Sequence, residues 1–259
     1  MLRGIYTSAS GMLLEGMRTD VVANNLANAQ TRGFKGQSAS VRAFPEMLVH
    51  RINDRATMNP IDPRPLIGYL GTGAAIDEFA LSMTQGALEF TGRGLDLAID
   101  GPAFFSFETP DGDTVYSRDG RMHVDMDGFI VNSSGLRLLG ADGGPIQVGA
   151  AADPVVDPEG RVWIDGAVVA EVALWEFPEP RALERLGENL LAPTEGSGAA
   201  LAATGSQIHR EHLELSNVNV VREMVDMIAI QRAYEANQRM ITTQDETLGR
   251  LINDVPSMR

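Results

Sequence analysis

The sequence predicts an α+β chain: a long helix at each terminus, the two paired as a coiled coil, with an inserted all-β middle domain of meander or barrel-like form. Two observations predict the helices and a third the β domain. Apolar or small residues recur at 3,4 spacing over about the first 25 positions, and the same spacing returns near the C-terminus. Between these ends, Asp-Gly turns punctuate short segments rich in β-branched and apolar residues.

The first seam runs Leu2, Ile5, Ala9, Met12, Gly16, Thr19, Ala23, Leu26, with Tyr6, Leu13 and Met17 widening the stripe. Leu14, Val21 and Val22 lie off it, so one partner helix cannot cover the whole apolar surface. The stretch then passes through Asn24, Asn25 and Asn28 and stops at Gly33; Asn28 reads as the helix end, with Asn24 and Asn25 offering amides to neighbours.

Residues 36–75 follow neither pattern. "NPIDPRPLIGYLGTG" (Asn59–Gly73) is too rich in Pro and Gly for regular structure, which predicts an extended linker that docks on a partner. In the middle, "PDG", "RDG", "MDG" and "ADG" separate "TVYS", "RMHVD", "FIVN" and "LRLLG"; "RVWID" and "GAVVAEVALWEF" add further strands. The expected division is a terminal helical domain (1–35 and 206–259), a linker (36–75) and a β domain (76–205).

The C-terminal seam runs Met227, Ile230, Tyr234, Asn237, Ile241, Gln244, Leu248, Leu251, with Val221, Met224, Val225, Ile228, Met240 and Ile252 outside it. Ser216 or Asn217 is the expected cap, and Glu223 sits where the helix dipole favours an acid. Asn237 and Gln244 weaken seam packing but fix register. The two seams are expected to pair, with the leftover apolar surface facing something else. The residues to which the family resemblance described below gives an assembly-interface role are Leu2, Ile5, Ala9, Met12, Asn24, Asn25, Leu26, Asn28, Met227, Ile230, Tyr234, Asn237, Ile241, Leu248 and Leu251.

Composition narrows the function classes. There are 35 acidic and 21 basic residues, a net charge of −14; between Asp100 and Arg185 there are 16 Asp and Glu against 6 Arg and no Lys. Such a surface does not offer the basic face that a nucleic-acid duplex or anionic membrane requires. The chain has no cysteine, which excludes disulfides, thiolate catalysis and Cys-based zinc sites. No run of about 18 apolar residues spans a bilayer, and Gly4, Gly11, Glu15 and Gly16 interrupt any signal-peptide core.

Catalysis has no candidate residue, and no cofactor is implied. "HREH" spaces His209 and His212 three apart but lacks a third ligand, so a metal site is not expected. Asp125 and Asp127 in "DMDG" lack the remaining positions of a calcium loop and read as a hairpin turn. Phe104, Phe105 and Phe107 read as strand core, and no phosphate-binding glycine loop or nucleophile elbow is present. An acidic β domain leaves a carbohydrate-active enzyme as a distant alternative, and a secreted binding module as another, but no carboxylate spacing points to the first and the second needs no heptads.

"ANNLANAQTRGFK" (Ala23–Lys35) resembles the N-terminal motif of the bacterial flagellar rod and hook axial proteins, and "SNVNVVREMVDMIAIQRAYEANQRMITTQDETLGRLIN" (Ser216–Asn253) resembles their C-terminal motif. "LDLAIDGPAFFSF" with "YSRDGRMHVDMDGFIVNSSGLRLLG" (Leu95–Gly140) is similar to their central β domain, departing where Ala103 stands in place of a frequent glycine. The resemblance implies a structural subunit of the basal-body rod, in the periplasmic space, whose terminal helices polymerise into a shaft transmitting torque to the hook. Length and the single middle domain are similar to the FlgF/FlgG group. "FTGRGLDLAIDG" and "RAFPEMLVHRIND" favour the FlgF-like proximal rod, with the FlgG distal rod as the alternative. The implied partners are copies of the chain, other rod subunits, hook and ring proteins, and an export apparatus that uses no cleaved signal peptide.

Overall fold

The computed structural model describes residues 2–50, 66–150, 153–187 and 189–254. The chain divides into two compact units, Met1–Ala23 with Ala39–Phe79 and Arg222–Arg259, and Asn24–Ser38 with Ala80–Val221.

The first unit holds most of α1 (Leu2–Ala27) and α2 (Val220–Asp254), together with strands β1 (Gln37–Ala43), β2 (Met47–His50), β3 (Leu66–Leu70) and β4 (Ala74–Leu81). β1 pairs with β4, and β2 pairs antiparallel with β3, placing Leu48 opposite Tyr69. Strands thus occupy described parts of the segment expected to be an extended linker; the remainder of that segment, 51–65, lies outside the described residues. Pairing of β2 with β3 satisfies backbone polar groups of Leu66–Leu70, which would otherwise need partners elsewhere. Gly73, at φ +136°, brings the ribbon against Ser10 of α1, where any side chain would collide.

The expected coiled coil is not formed. Burial along α2 follows the 3,4 spacing, with Met227, Asn237, Ile241, Gln244 and Leu248 half-buried, but only Ile230 of the seam is fully buried. Tyr234 and Leu251 remain 39% and 45% exposed, whereas a coiled coil would lock each such knob into a hole. Where the helices do meet, amides lie over glycines: Gln244 faces Gly4, and Asn237 faces Gly11. At these two turns an amide over a glycine stands where a coiled coil would set an apolar knob into a hole. The architecture is two terminal helices flanking a mostly β middle.

The second unit is built from short strands. β5 (Leu88–Phe90), β6 (Leu97–Asp100), β7 (Phe104–Glu108), β8 (Thr114–Ser117), β9 (Met122–Val124), β10 (Ile130–Asn132) and β11 (Arg137–Leu138) come first. β12 (Val155–Val156), β13 (Arg161–Ile164), β14 (Ala167–Glu171), β15 (Leu174–Glu176), β16 (Glu184–Gly187), β17 (Leu190–Ala192), β18 (Leu201–Ala202), β19 (Gln207–Arg210) and β20 (His212–Glu214) follow. The main sheet runs β16-β17-β8-β7-β11-β10-β9, with β15 also pairing with β7, and β12-β13-β14 form a separate antiparallel meander. β19 pairs with β6 and β20 with β5.

The Asp-Gly turns join these strands as the sequence predicts. Gly128, at φ +81°, returns its N–H to the Asp125 carbonyl between β9 and β10. β7 is buried on both faces, and its side chains alternate accordingly. Phe105 and Phe107 enter the larger core with Leu97, Ile99, Leu138 and Val162. Phe104 enters a second cluster, where Phe177 stands edge-on to Tyr116 at 4.9 Å. Burying a Phe side chain contributes roughly 1.5–3 kcal/mol, so this strand anchors the unit.

Candidate assembly surfaces

The asparagine ladder ends α1 at Ala27, and the chain beyond it is tied into the second unit. Asn25 is buried, donating to the Gln37 carbonyl at 2.8 Å while its Oδ1 accepts from Gln37 N–H at 2.9 Å. Its amide is thus committed within the chain. Asn28 donates back to the Asn24 carbonyl at 2.9 Å and accepts from the Thr31 hydroxyl, closing the helix end.

Three stretches remote in sequence meet at Glu214, which is fully buried. Lys35 Nζ donates to Glu214 Oε1 at 2.6 Å, the Gly86 N–H donates to the same oxygen at 2.8 Å, and Arg118 approaches Oε2 at 3.4 Å. Lys35 also donates to the Thr84 carbonyl, and Arg118 to the Gly101 carbonyl. Burial lowers the pKa of both cations, and the Glu214 charge opposes that shift. Such a charge cluster persists only because nearly every donor and acceptor is matched.

Backbone contacts reinforce the same knot. Gly33 N–H donates to the Glu214 carbonyl at 2.8 Å. Gly33 has φ +66°, and a Cβ there would lie 2.5 Å from the Arg118–Asp119 backbone, so the position requires glycine. Asn217 does not cap α2: its oxygen accepts from Gly36 N–H, and its amide donates to the Ser82 and Thr84 carbonyls. Ser216 Oγ accepts from Val218 N–H, turning the chain before the helix starts at Val220. The end of α1 and the approach to α2 are therefore stapled to the same strands, although nearly two hundred residues separate them.

The helices leave much apolar surface open. On α1, Tyr6, Leu13 and Met17 are 74%, 68% and 50% exposed; on α2, Val221, Val225, Ile228 and Ile252 are all more than half exposed. Of the predicted α1 seam, Ile5, Ala9, Met12 and Leu26 are half-buried, and Leu2 opens the helix. Large apolar side chains so exposed on both helices make these faces the candidate interaction surface. His209 and His212 lie on β19 and β20, on either side of Glu211, and no group of three His, Asp or Glu among the described residues could hold a metal.

Comparison with known proteins bears on what these surfaces serve. Residues 5–35 match the family description "Flagella basal body rod protein", residues 98–164 "Flagellar hook protein FlgE/F/G D1 domain", and residues 209–254 "Flagellar basal body rod FlgEFG protein C-terminal". The flagellar basal-body rod protein FlgG of Borreliella burgdorferi is 34% identical over 264 residues, covering 96% of this chain and 97% of the relative. The FlgG proteins of Bacillus subtilis and Buchnera aphidicola (subspecies Acyrthosiphon pisum) are each 32% identical, covering 98% and 97% of this chain and 99% of each relative.

The chain belongs to the flagellar basal-body rod family. As a rod-family protein it is a structural subunit and not an enzyme, and its place is the flagellar basal body. No described helix is long and apolar enough to cross a membrane. The two terminal family matches meet at the Glu214 knot: Lys35 ends the first, and Glu214 lies near the start of the last. Sequence reasoning named neither Lys35, Arg118 nor Glu214 as functional. Their only signal was charge inside otherwise apolar or turn-rich stretches, which is too common to single them out.

Proposed function

We propose that the chain is an FlgG-like, distal-rod subunit that polymerises through α1 and α2. This replaces the FlgF-like preference drawn from "FTGRGLDLAIDG" and "RAFPEMLVHRIND" (of the latter, Arg51–Asp54 lie outside the described residues). The support is that relatives spanning almost the whole chain carry the FlgG name. Partners are copies of the chain and other rod and hook components.

The observation carrying the assembly reading is the paired exposure of apolar faces on both terminal helices. Contacts between unlike faces do not close under two-fold symmetry; they propagate into a helical filament able to carry torque. The proposed contact set is Leu2, Ile5, Ala9, Met12, Asn24, Leu26 and Asn28 with Met227, Tyr234, Asn237, Ile241, Leu248 and Leu251. Asn25 and Ile230, buried within the chain, support that surface from inside.

Ile241→Asp tests it, since a charge forced into a packed helix interface costs several kcal/mol in every subunit. Rod assembly and swarming should fail at normal expression, while Arg181→Gln, on an exposed arginine of the β unit, leaves both intact. Complete rods in Ile241→Asp cells would sink the assembly reading. Immunogold labelling of a tagged chain in purified basal bodies should mark the hook-side part of the rod; label confined to the membrane side would refute the FlgG-like assignment.

A further inference from the structure

A cleft of about 460 Å³ opens in the second unit beside the end of α1. Arg32, Arg121 and Arg185 line it, with the hydroxyl-bearing Ser133 and Ser134 and the single carboxylate of Asp119. This grouping is conspicuous in a chain with 35 acidic and 21 basic residues. Arg32 is paired with Glu89. Arg185 has no carboxylate partner among the described residues: it lies over the Phe34 ring at 4.4 Å, and donates to Asn24 Oδ1 at 3.2 Å and to the Lys35 carbonyl. Its Nε is buried without a partner. Arg121 is exposed, and its guanidinium forms no ion pair among the described residues.

Two guanidiniums without an ion-pair partner among the described residues therefore share a concave, donor-rich surface with one carboxylate, Asp119, whose ionised form the charge of Arg121 favours. Three arginines against one carboxylate leave the cleft positive. Guanidinium forks match carboxylates in geometry and charge, and a concave setting reduces competition from water. We propose that this cleft is an intersubunit socket that receives an acidic segment of a second copy of the chain. The proposal rests on the rod-subunit reading and names a partner surface apart from the helical faces.

Charge complementarity selects that occupant. A chain with net charge −14 repels its own copies unless a positive patch is set against a negative one, and this cleft supplies such a patch on the β unit. Asn24 and Asn28, on the rim, give the exposed part of the asparagine ladder a role: their amides can share in binding the incoming carboxylate.

The absence of cysteine makes a direct test clean. Ser134→Cys, at the exposed rim, is labelled with a photoreactive thiol reagent in the full chain and assembled into rods in cells. Irradiated basal bodies should yield an adduct of two copies, joined to an Asp- or Glu-containing peptide. Adding Arg121→Glu should cut that yield by about tenfold, as expected for reversing one member of a close charge pair. Arg121→Lys, which keeps the charge, should retain most of it. An adduct with a different protein, or none in rods that contain the chain, overturns the inference while leaving the rod reading intact. So does binding of inorganic phosphate by the dilute monomer that depends on Arg121 while the adduct does not. Absence of the chain from purified rods would instead overturn the rod reading and this inference with it.

Discussion

Glu214→Gln separates a structural role for the buried knot from an incidental one. The substitution preserves shape and leaves one carbonyl oxygen to accept from Lys35 and Gly86, as Oε1 does now. The other terminus becomes an NH2 group facing the Arg118 guanidinium, where Oε2 now accepts at 3.4 Å. Two cations, each 3% exposed, would then share a site without a negative charge. Removing one member of a buried ionic cluster costs about 3–5 kcal/mol, because the remaining charges stay desolvated and unpaired. With a urea m value of about 2 kcal/mol per M, the unfolding midpoint should fall by about 2 M.

Trp163 and Trp175 both lie in the β unit, so tryptophan fluorescence during urea titration follows that unit directly. Glu159→Gln provides the comparison within the same unit. It removes a pair with Arg161 at 3.1 Å, but both side chains are well exposed, and the expected cost is below about 1 kcal/mol. Lys35→Met should fall between the two, because Glu214 keeps Arg118. A Glu214→Gln midpoint within error of wild type, at unchanged m, would refute the claim that the knot holds the unit together.

Gly33→Ala should also destabilise the β unit, by about 1–3 kcal/mol, since φ +66° and the crossing Arg118–Asp119 backbone both oppose a side chain; thermal unfolding of the two chains checks this, and an unchanged midpoint would contradict the close approach. Asp119 has its pKa raised by burial, against the opposing backbone N–H and charge of Arg121. Its folded pKa lies above its unfolded value near 3.8, so stability falls as pH rises through that window and is lowest once the group is ionised. Asp119→Asn should therefore stabilise the chain at neutral pH, with the advantage vanishing below the unfolded pKa; a gain that persists at low pH would assign the effect to another cause.

Much of this protein was readable in the sequence because the signals are local. The 3,4 spacing from Leu2 to Leu26 and from Met227 to Leu251 is a property of windows a few turns long, and it locates both helices. The Asp-Gly turns at Gly112 and Gly128 set the strand boundaries before "TVYS" and "FIVN", because φ > 0 is demanded within the turn itself. The terminal motifs likewise carried the rod-family resemblance.

Tertiary structure decided what depends on partners distant in the chain. A 3,4 pattern specifies an apolar face but not what meets it; Asn237 and Gln244 read as polar members of the seam, and only the fold sets them over Gly11 and Gly4. Asn24, Asn25 and Asn28 look alike in sequence, yet one amide is sealed onto Gln37 while the others line an arginine cleft. Lys35 and Glu214 stand 179 positions apart, and no window of sequence contains both. Their pairing exists only once the β strands have carried Gly86 and Arg118 to the same point, where burial turns ordinary surface charges into a mutually dependent set.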